Sequence, residues 1–369
     1  MSESTLHLSI DLAAELRKIT QSQYLNRVHY LVQLVRHAVR HGPAAIRIES
    51  RRKSLSIRQD GRPFDDEEWL LLRWLLQPEG RSAEIQQAAL ARLEEACGVS
   101  ILSLFFNVPR VEIHSAGRCL SGRAGRIGWT EVPAAEPGYR ILIERARRSR
   151  REEREELEDF CAMATVPIYL NGRKINRPFQ ADGMLGVPFW FRLGRGVVGI
   201  PATGELSMFQ FFKQGIRFGY KKFLPPDGRL LQGAWDSAEE RFEAQFQRSS
   251  KSGEFCLRAF GPLPYRQVRT RFHRLPETQQ ARLKRILLNL PREEWYSQLR
   301  NVPLFHSGQG RFDLTLQDLL NIRDRFGAVP YRPRTDRDAP AGFPCLSPEE
   351  AYFVREKLGL PLQVLVRPR

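Results

Sequence analysis

Between residues 23 and 178 the apolar spacing switches repeatedly between the 3.6-residue period of a helix and the two-residue period of a strand, in an order few folds accommodate. Leu25, Val28, Leu31, Val32, Val35, Ala38 and Val39 recur at helical spacing, which predicts a helix from about Gln23 to His41, stopped by Gly42 and Pro43. Two alternating segments follow, AIRIES at 45–50 and SLSIRQ at 54–59, separated by Arg51, Arg52 and Lys53; they predict neighbouring antiparallel strands. Asp65 or Asp66 then caps a helix bearing Trp69, Leu70, Leu72, Trp74 and Leu75. Past a loop at Pro78, Glu79 and Gly80 comes a helix ending near Ala96, and Gly98 opens an apolar one. RVEIHS at 110–115 is a strand, GRCLSGRAGRIGWTEV a hairpin, YRILIER at 139–145 a strand and RSRREEREELEDFCAMA a helix. VPIYLNGRKI closes the series as a strand turned at Asn171 and Gly172. The class this order predicts is α+β, one sheet with helices packed on one face, ending near Arg177 and Pro178.

Residues 179–298 begin with strand-like pieces at 189–193, 197–201, 206–212 and 216–224, which read as a small meander. Helices are expected at 238–247 and 276–290. From 299 to 369 the pattern is strand, helix, strand, helix, strand, a compact α/β module, with a proline- and glycine-rich loop at 331–344. Three domains are therefore expected: 1–178, 179–298 and 299–369.

Four segments carry a resemblance in order: YLVQLVRHAVRHGPAAIRIE, LSIRQDGRPFDDEE, ACGVSILSLFFNVPRVEIHS and VPIYLNGRKI. Over approximately residues 15–178 the chain resembles the GHKL superfamily, most nearly its ninety-kilodalton heat-shock chaperone branch. That resemblance implies a Bergerat-type two-layer α/β sandwich followed by an α/β middle-like domain. The family has a helix with Glu and Asn four apart, a strand running into Asp-x-Gly-x-Gly, and a glycine-led helix.

The chemistry implied by the resemblance does not carry over. Gln33 stands where the family's water-orienting glutamate would be, and His37 where its magnesium-binding asparagine would be. An amide cannot accept a proton as a carboxylate can, and magnesium prefers oxygen to imidazole nitrogen. Gln59 takes the place of the adenine-binding aspartate, with Asp60 beside it. Gly61 matches the first glycine of the motif, Pro63 replaces the second, and only Gly98 remains of the phosphate-binding cluster. Gln33, His37, Gln59, Asp60, Gly61 and Gly98 thus outline a vestigial nucleotide cleft that allows ATP or ADP at most weak binding, without magnesium and with little or no hydrolysis. Histidines 29, 37 and 41 read as too scattered around their helix to make a metal site, and no metal is assigned.

The net charge of +16 favours polyanions, but its arginines are spread along the chain rather than gathered in a tail. Arg145, Arg147, Arg148, Arg150, Arg151 and Arg154 leading into Glu152, Glu153, Glu155, Glu156 and Glu158 read as a solvated helix face. Lys221 and Lys222 among Phe211, Phe212, Phe218, Tyr220 and Phe223 could line a nucleic-acid surface, but alternating aromatics more often fill a core. The five widely spaced cysteines contain no CxxC pair and read as reduced thiols. No apolar run is long enough to span a bilayer, and the amino-terminal residues do not read as a secretory signal, so a cytoplasmic location is expected. The function expected is a chaperone-like or scaffold protein with protein partners or clients. The alternatives are an active ATP-binding switch and a basic, nucleic-acid-associated relative of MutL.

Overall fold

The computed structural model describes residues 28–77, 81–123, 126–133, 137–145, 150–180, 182–239, 252–307, 312–333 and 343–365, with Ala14 and Asn26. The chain is α+β and forms two compact units, Met1–Pro178 with Lys213–Phe218, and Phe179–Phe212 with Gly219–Arg369. Residues on both sides of position 298 therefore belong to one unit.

The first unit holds an eight-stranded mixed sheet. In chain order its elements are α1 (Tyr30–Arg40), β1 (Ile46–Ser50), β2 (Ser54–Gln59), α2 (Asp66–Leu76), α3 (Ala83–Glu95), α4 (Val99–Asn107), β3 (Arg110–Ser115), β4 (Arg118–Arg123), β5 (Arg126–Glu131), β6 (Tyr139–Glu144), α5 (Arg150–Phe160), β7 (Ile168–Leu170) and β8 (Arg173–Lys174). The sheet order is β5-β4-β3-β6-β2-β1-β7-β8, antiparallel except that β1 pairs parallel with β7. Period-two alternation sets the register: Leu170, Ile48, Ile57, Ile141, Ile113 and Leu120 face one another across six strands as one buried row. Burying each such side chain contributes roughly 1.5–3 kcal/mol. Onto this face α1 lays Leu31, Val32, Leu34, Val35 and Ala38, all without exposed surface. The opposite face alternates Arg47, Glu49, Arg140 and Leu142. Asp65 caps α2 through a capping box with Glu68. Residues 15–25 and the expected loop at 78–80 lie outside the described residues; the helix expected from about Gln23 begins at Tyr30, since Asn26 is a bend and Val28 and His29 form a turn.

A five-stranded sheet is built from β9 (Met184–Phe191), β10 (Gly194–Ile200), β11 (Ser207–Lys213), β12 (Ile216–Phe223) and β13 (Gln232–Ser237), ordered β12-β11-β13-β10-β9; its strands belong to the second unit except Lys213 and Ile216–Phe218, which fall in the first. This is not the expected meander. β13 inserts between β10 and β11 and runs parallel to β11. Its sequence, QGAWDS, shows no alternation because every residue is buried, and Gly233 leaves room for the Phe209 ring, which would stand 2.3 Å from a Cβ there. The helix expected at 238–247 lies almost wholly outside the described residues. Helices α6 (Ser252–Phe260) and α7 (Glu277–Leu287) follow. Then come β14 (Phe305–Ser307), β15 (Phe312–Leu314), α8 (Leu316–Phe326), β16 (Val329–Pro333), β17 (Pro344–Leu346), α9 (Pro348–Tyr352) and β18 (Leu362–Val364), with sheet order β15-β14-β17-β16-β18. The expected 331–344 loop therefore shortens, since β16 runs to Pro333 and β17 begins at Pro344. Thr315 and Ser347 build capping boxes at the starts of α8 and α9. A buried ion pair, Lys284 with Glu350, joins α7 to this last sheet layer, the ammonium also lying over the rings of Phe305 and Phe312. Among the described residues no helix is long and apolar enough to cross a membrane.

Candidate functional site

The residues singled out on β2 and α1 meet where the chain leaves β2. After Gln59 the segment 60–64 folds back over the carboxyl end of α1, with the Arg62 amide donating to the His41 carbonyl at 2.8 Å. The turn needs glycine at 61, because a Cβ there would stand 2.4 Å from the His41 carbonyl oxygen and 2.7 Å from the Pro43 nitrogen. Gln59 is fully buried and its amide is used twice: Nε2 donates to the Arg62 carbonyl at 2.8 Å, and Oε1 accepts from the Gly61 amide. Asp60 Oδ1 accepts from the Ala45 amide at 2.9 Å, and Oδ2 lies 3.6 Å from Arg47. Burial works to raise the Asp60 carboxyl, but hydrogen bonds from the backbone at Ala45, Ala44 and Asp60 itself, with the Arg47 charge, outweigh it and hold the group below its usual range.

Above this turn an aromatic group closes the space. Phe64 is buried, with its amide donating to Ser115 Oγ at 2.9 Å. Its ring lies 4.7 Å from Tyr139, 5.3 Å from His37 and from Trp69, and 5.7 Å from His41. His37 and His41, one helical turn apart, aim their Nε2 atoms at one carboxylate oxygen, Glu68 Oε1, at 3.7 and 3.1 Å. Each outer nitrogen is also held, His41 Nδ1 by the Arg62 carbonyl at 2.9 Å and His37 Nδ1 by the Tyr139 hydroxyl at 2.8 Å. A carbonyl can only accept, so His41 Nδ1 carries a proton. Burial first, then the charges of His41, Arg40 and Arg62, pushes His37 well below the usual histidine range and keeps it neutral. Burial, reinforced by Glu68, pushes the Tyr139 phenol well up, so it stays a hydroxyl, whose oxygen can also accept from His37 Nδ1.

The scattered arrangement expected for the three histidines holds only for His29. It leaves the group and pairs with Glu156 at 2.6 Å. His37 and His41 converge instead, because four residues advance a helix by just over one turn. Gln33 turns its amide to His29 Nε2 at 3.5 Å and receives Arg36 at 3.3 Å. Gly98 serves packing: a Cβ would stand 2.6 Å from Leu93 Cδ1, and its amide is already given to the Leu93 carbonyl at 2.8 Å. The structure therefore brings Gln59, Asp60 and Gly61 into one turn beside His37, while the Gln33 and Gly98 contacts lie elsewhere. Sequence reasoning missed Glu68, Tyr139, Phe64 and the role of His41. The signals present were the His-x3-His spacing on a helix and the capping-box glutamate.

Among the described residues this unit carries surface depressions away from that turn. One, of about 360 Å³, lies between α2 and α3 and is lined by Leu71, Trp74, Arg81, Ile85 and Arg92. Another, of about 530 Å³, lies on the open sheet face among Arg51, Lys53, Arg110, Arg140, Glu112 and Glu144. Neither contains a residue of the expected nucleotide cleft. On the open face the basic groups alternate with glutamates, as in Arg110 with Glu112 and Arg51 with Glu49, so the chain's positive charge is not focused there. No protein-family model matches the chain, and no curated protein matches it.

Proposed function

We propose that this is a chaperone-like or scaffold protein whose first unit is a Bergerat-type domain turned from nucleotide chemistry to protein binding. The observation that carries the reading is the self-satisfaction of the nucleotide-equivalent groups. Both functional ends of the Gln59 amide, the Asp60 carboxylate and the Gly98 amide are spent on the protein's own backbone. Phe64 and Tyr139 pack beside His37, and Trp69 packs against Phe64. An adenine or phosphate arriving there would have to break bonds already made in a buried setting, where an unsatisfied group costs about 1–3 kcal/mol.

Protein binding is favoured by apolar surface on the second unit. At the β9–β10 turn Trp190 is 81% and Leu193 is 72% exposed. Large apolar side chains so exposed suit contact with apolar segments of another polypeptide. The test is suppression of aggregation of a heat-denatured client enzyme, followed by light scattering with and without ATP. Suppression is expected at stoichiometric protein, equal in both conditions, and reduced in the double variant Trp190→Ser, Leu193→Ser. Undiminished aggregation at a several-fold molar excess of the protein would reject the chaperone reading.

A further inference from the structure

The geometry points to a buried site for one divalent metal ion of the zinc class, ligated by His37 Nε2, His41 Nε2 and a Glu68 carboxylate oxygen. This inference is independent of the protein-binding reading above. The three ligand atoms lie within 4.8 Å of one another, on side chains that are all buried. Zinc bonds of about 2.0–2.1 Å at a tetrahedral angle put neighbouring ligand atoms roughly 3.3 Å apart. The two histidine nitrogens stand 3.7 and 3.1 Å from Glu68 Oε1, on either side of that separation.

The outward atom of every ligand is fixed by a further partner, as metal ligands usually require. His41 Nδ1 donates to the Arg62 carbonyl, His37 Nδ1, in the tautomer that keeps the lone pair on Nε2, would donate to the Tyr139 hydroxyl oxygen, and Glu68 Oε2 accepts from the Asp65 amide at 2.9 Å. These contacts hold the ligand side chains with their inner atoms within 4.8 Å of one another. With Nδ1–H committed to a carbonyl, a neutral His41 would set its Nε2 lone pair against a carboxylate oxygen 3.1 Å away. Two lone pairs at that separation repel, and a cation between them removes the conflict. Nitrogen ligands disfavour magnesium and calcium, while two imidazoles with one carboxylate suit zinc or cobalt. The Phe64 and Tyr139 rings wall the site, and the ion would fasten α1 to α2.

The competing arrangement is a single proton shared between His41 and Glu68. Chelator-treated full-length protein titrated with zinc chloride by calorimetry and with cobalt chloride by visible absorption separates the two. One equivalent bound, cobalt d–d bands of a nitrogen–oxygen site and a higher melting temperature are expected. His41→Ala and Glu68→Gln should each weaken binding by about ten- to a hundredfold. His114→Ala, on the open sheet face, should bind as the parent does. Absence of saturable zinc binding and of cobalt bands in the folded parent protein would overturn the site in favour of the shared proton, whether or not the variants fold. Parent-like binding by folded His41→Ala and Glu68→Gln would overturn it too.

Discussion

Glu156 shows how one carboxylate in this fold is held by groups far away in sequence. It accepts from Asn26 Nδ2 at 2.7 Å and pairs with His29 at 2.6 Å. Burial would raise its carboxyl, but the hydrogen bonds from His29 and Asn26 and the charges of His29 and Arg217 more than offset this, so it titrates below its ordinary value. A carboxylate depressed on folding contributes stability that is fully present at neutral pH and is lost as the pH falls below the ordinary value of 4.5 toward the folded one. Glu156→Gln is expected to lower the urea midpoint at pH 7, with the gap to the parent protein narrowing as the pH is taken below 4.5. A gap that stays constant across that range would show that the charge is not the stabilising feature. The departures of Gln33, His37, Gln59 and Pro63 from the motif that the sequence resembles could be read directly, since each is a difference of functional group at a numbered place. What each replacement binds instead could not be read, because Tyr139 lies 102 residues from His37.

At the scale of elements, the arginine- and glutamate-rich stretch before and along α5 divides into two physical kinds. Arg151 with Glu155 and Arg154 with Glu158 are the exposed, helically spaced pairs that the sequence led one to expect. Arg145 and Glu153 are not part of a solvated face. Their side chains are 2% and 1% exposed, and the guanidinium also donates to Ser50 Oγ at 2.9 Å and to the Arg51 carbonyl at 2.8 Å. The pair therefore ties the start of α5 to the end of β1. Removing one partner of a buried pair strands the other charge, so Glu153→Ala is expected to cost about 3–5 kcal/mol in urea unfolding. Glu155→Ala should leave stability nearly unchanged. Equal effects from the two substitutions would contradict this division. Sequence spacing cannot separate the pairs, because burial is set by where β1 and β6 place Ser50 and Arg145. β13 escaped for a related reason: a strand buried on both faces has no alternation to detect.

Over the whole molecule, the periodicity switches made most elements of residues 28–178 legible, down to the Asn171 and Gly172 turn between β7 and β8. Strand order was less so, because nothing local announces that β1 accepts β7 in parallel or that β6 lies between β3 and β2. The central proposal is that the first unit is a nucleotide-binding architecture whose ligand groups are turned inward, so that the protein acts without nucleotide. Isothermal titration of the full chain with ATP and with ADP, each with and without magnesium, tests this most directly. No saturable heat is expected up to millimolar nucleotide in any of the four titrations, whereas one-to-one binding at micromolar affinity would contradict the account.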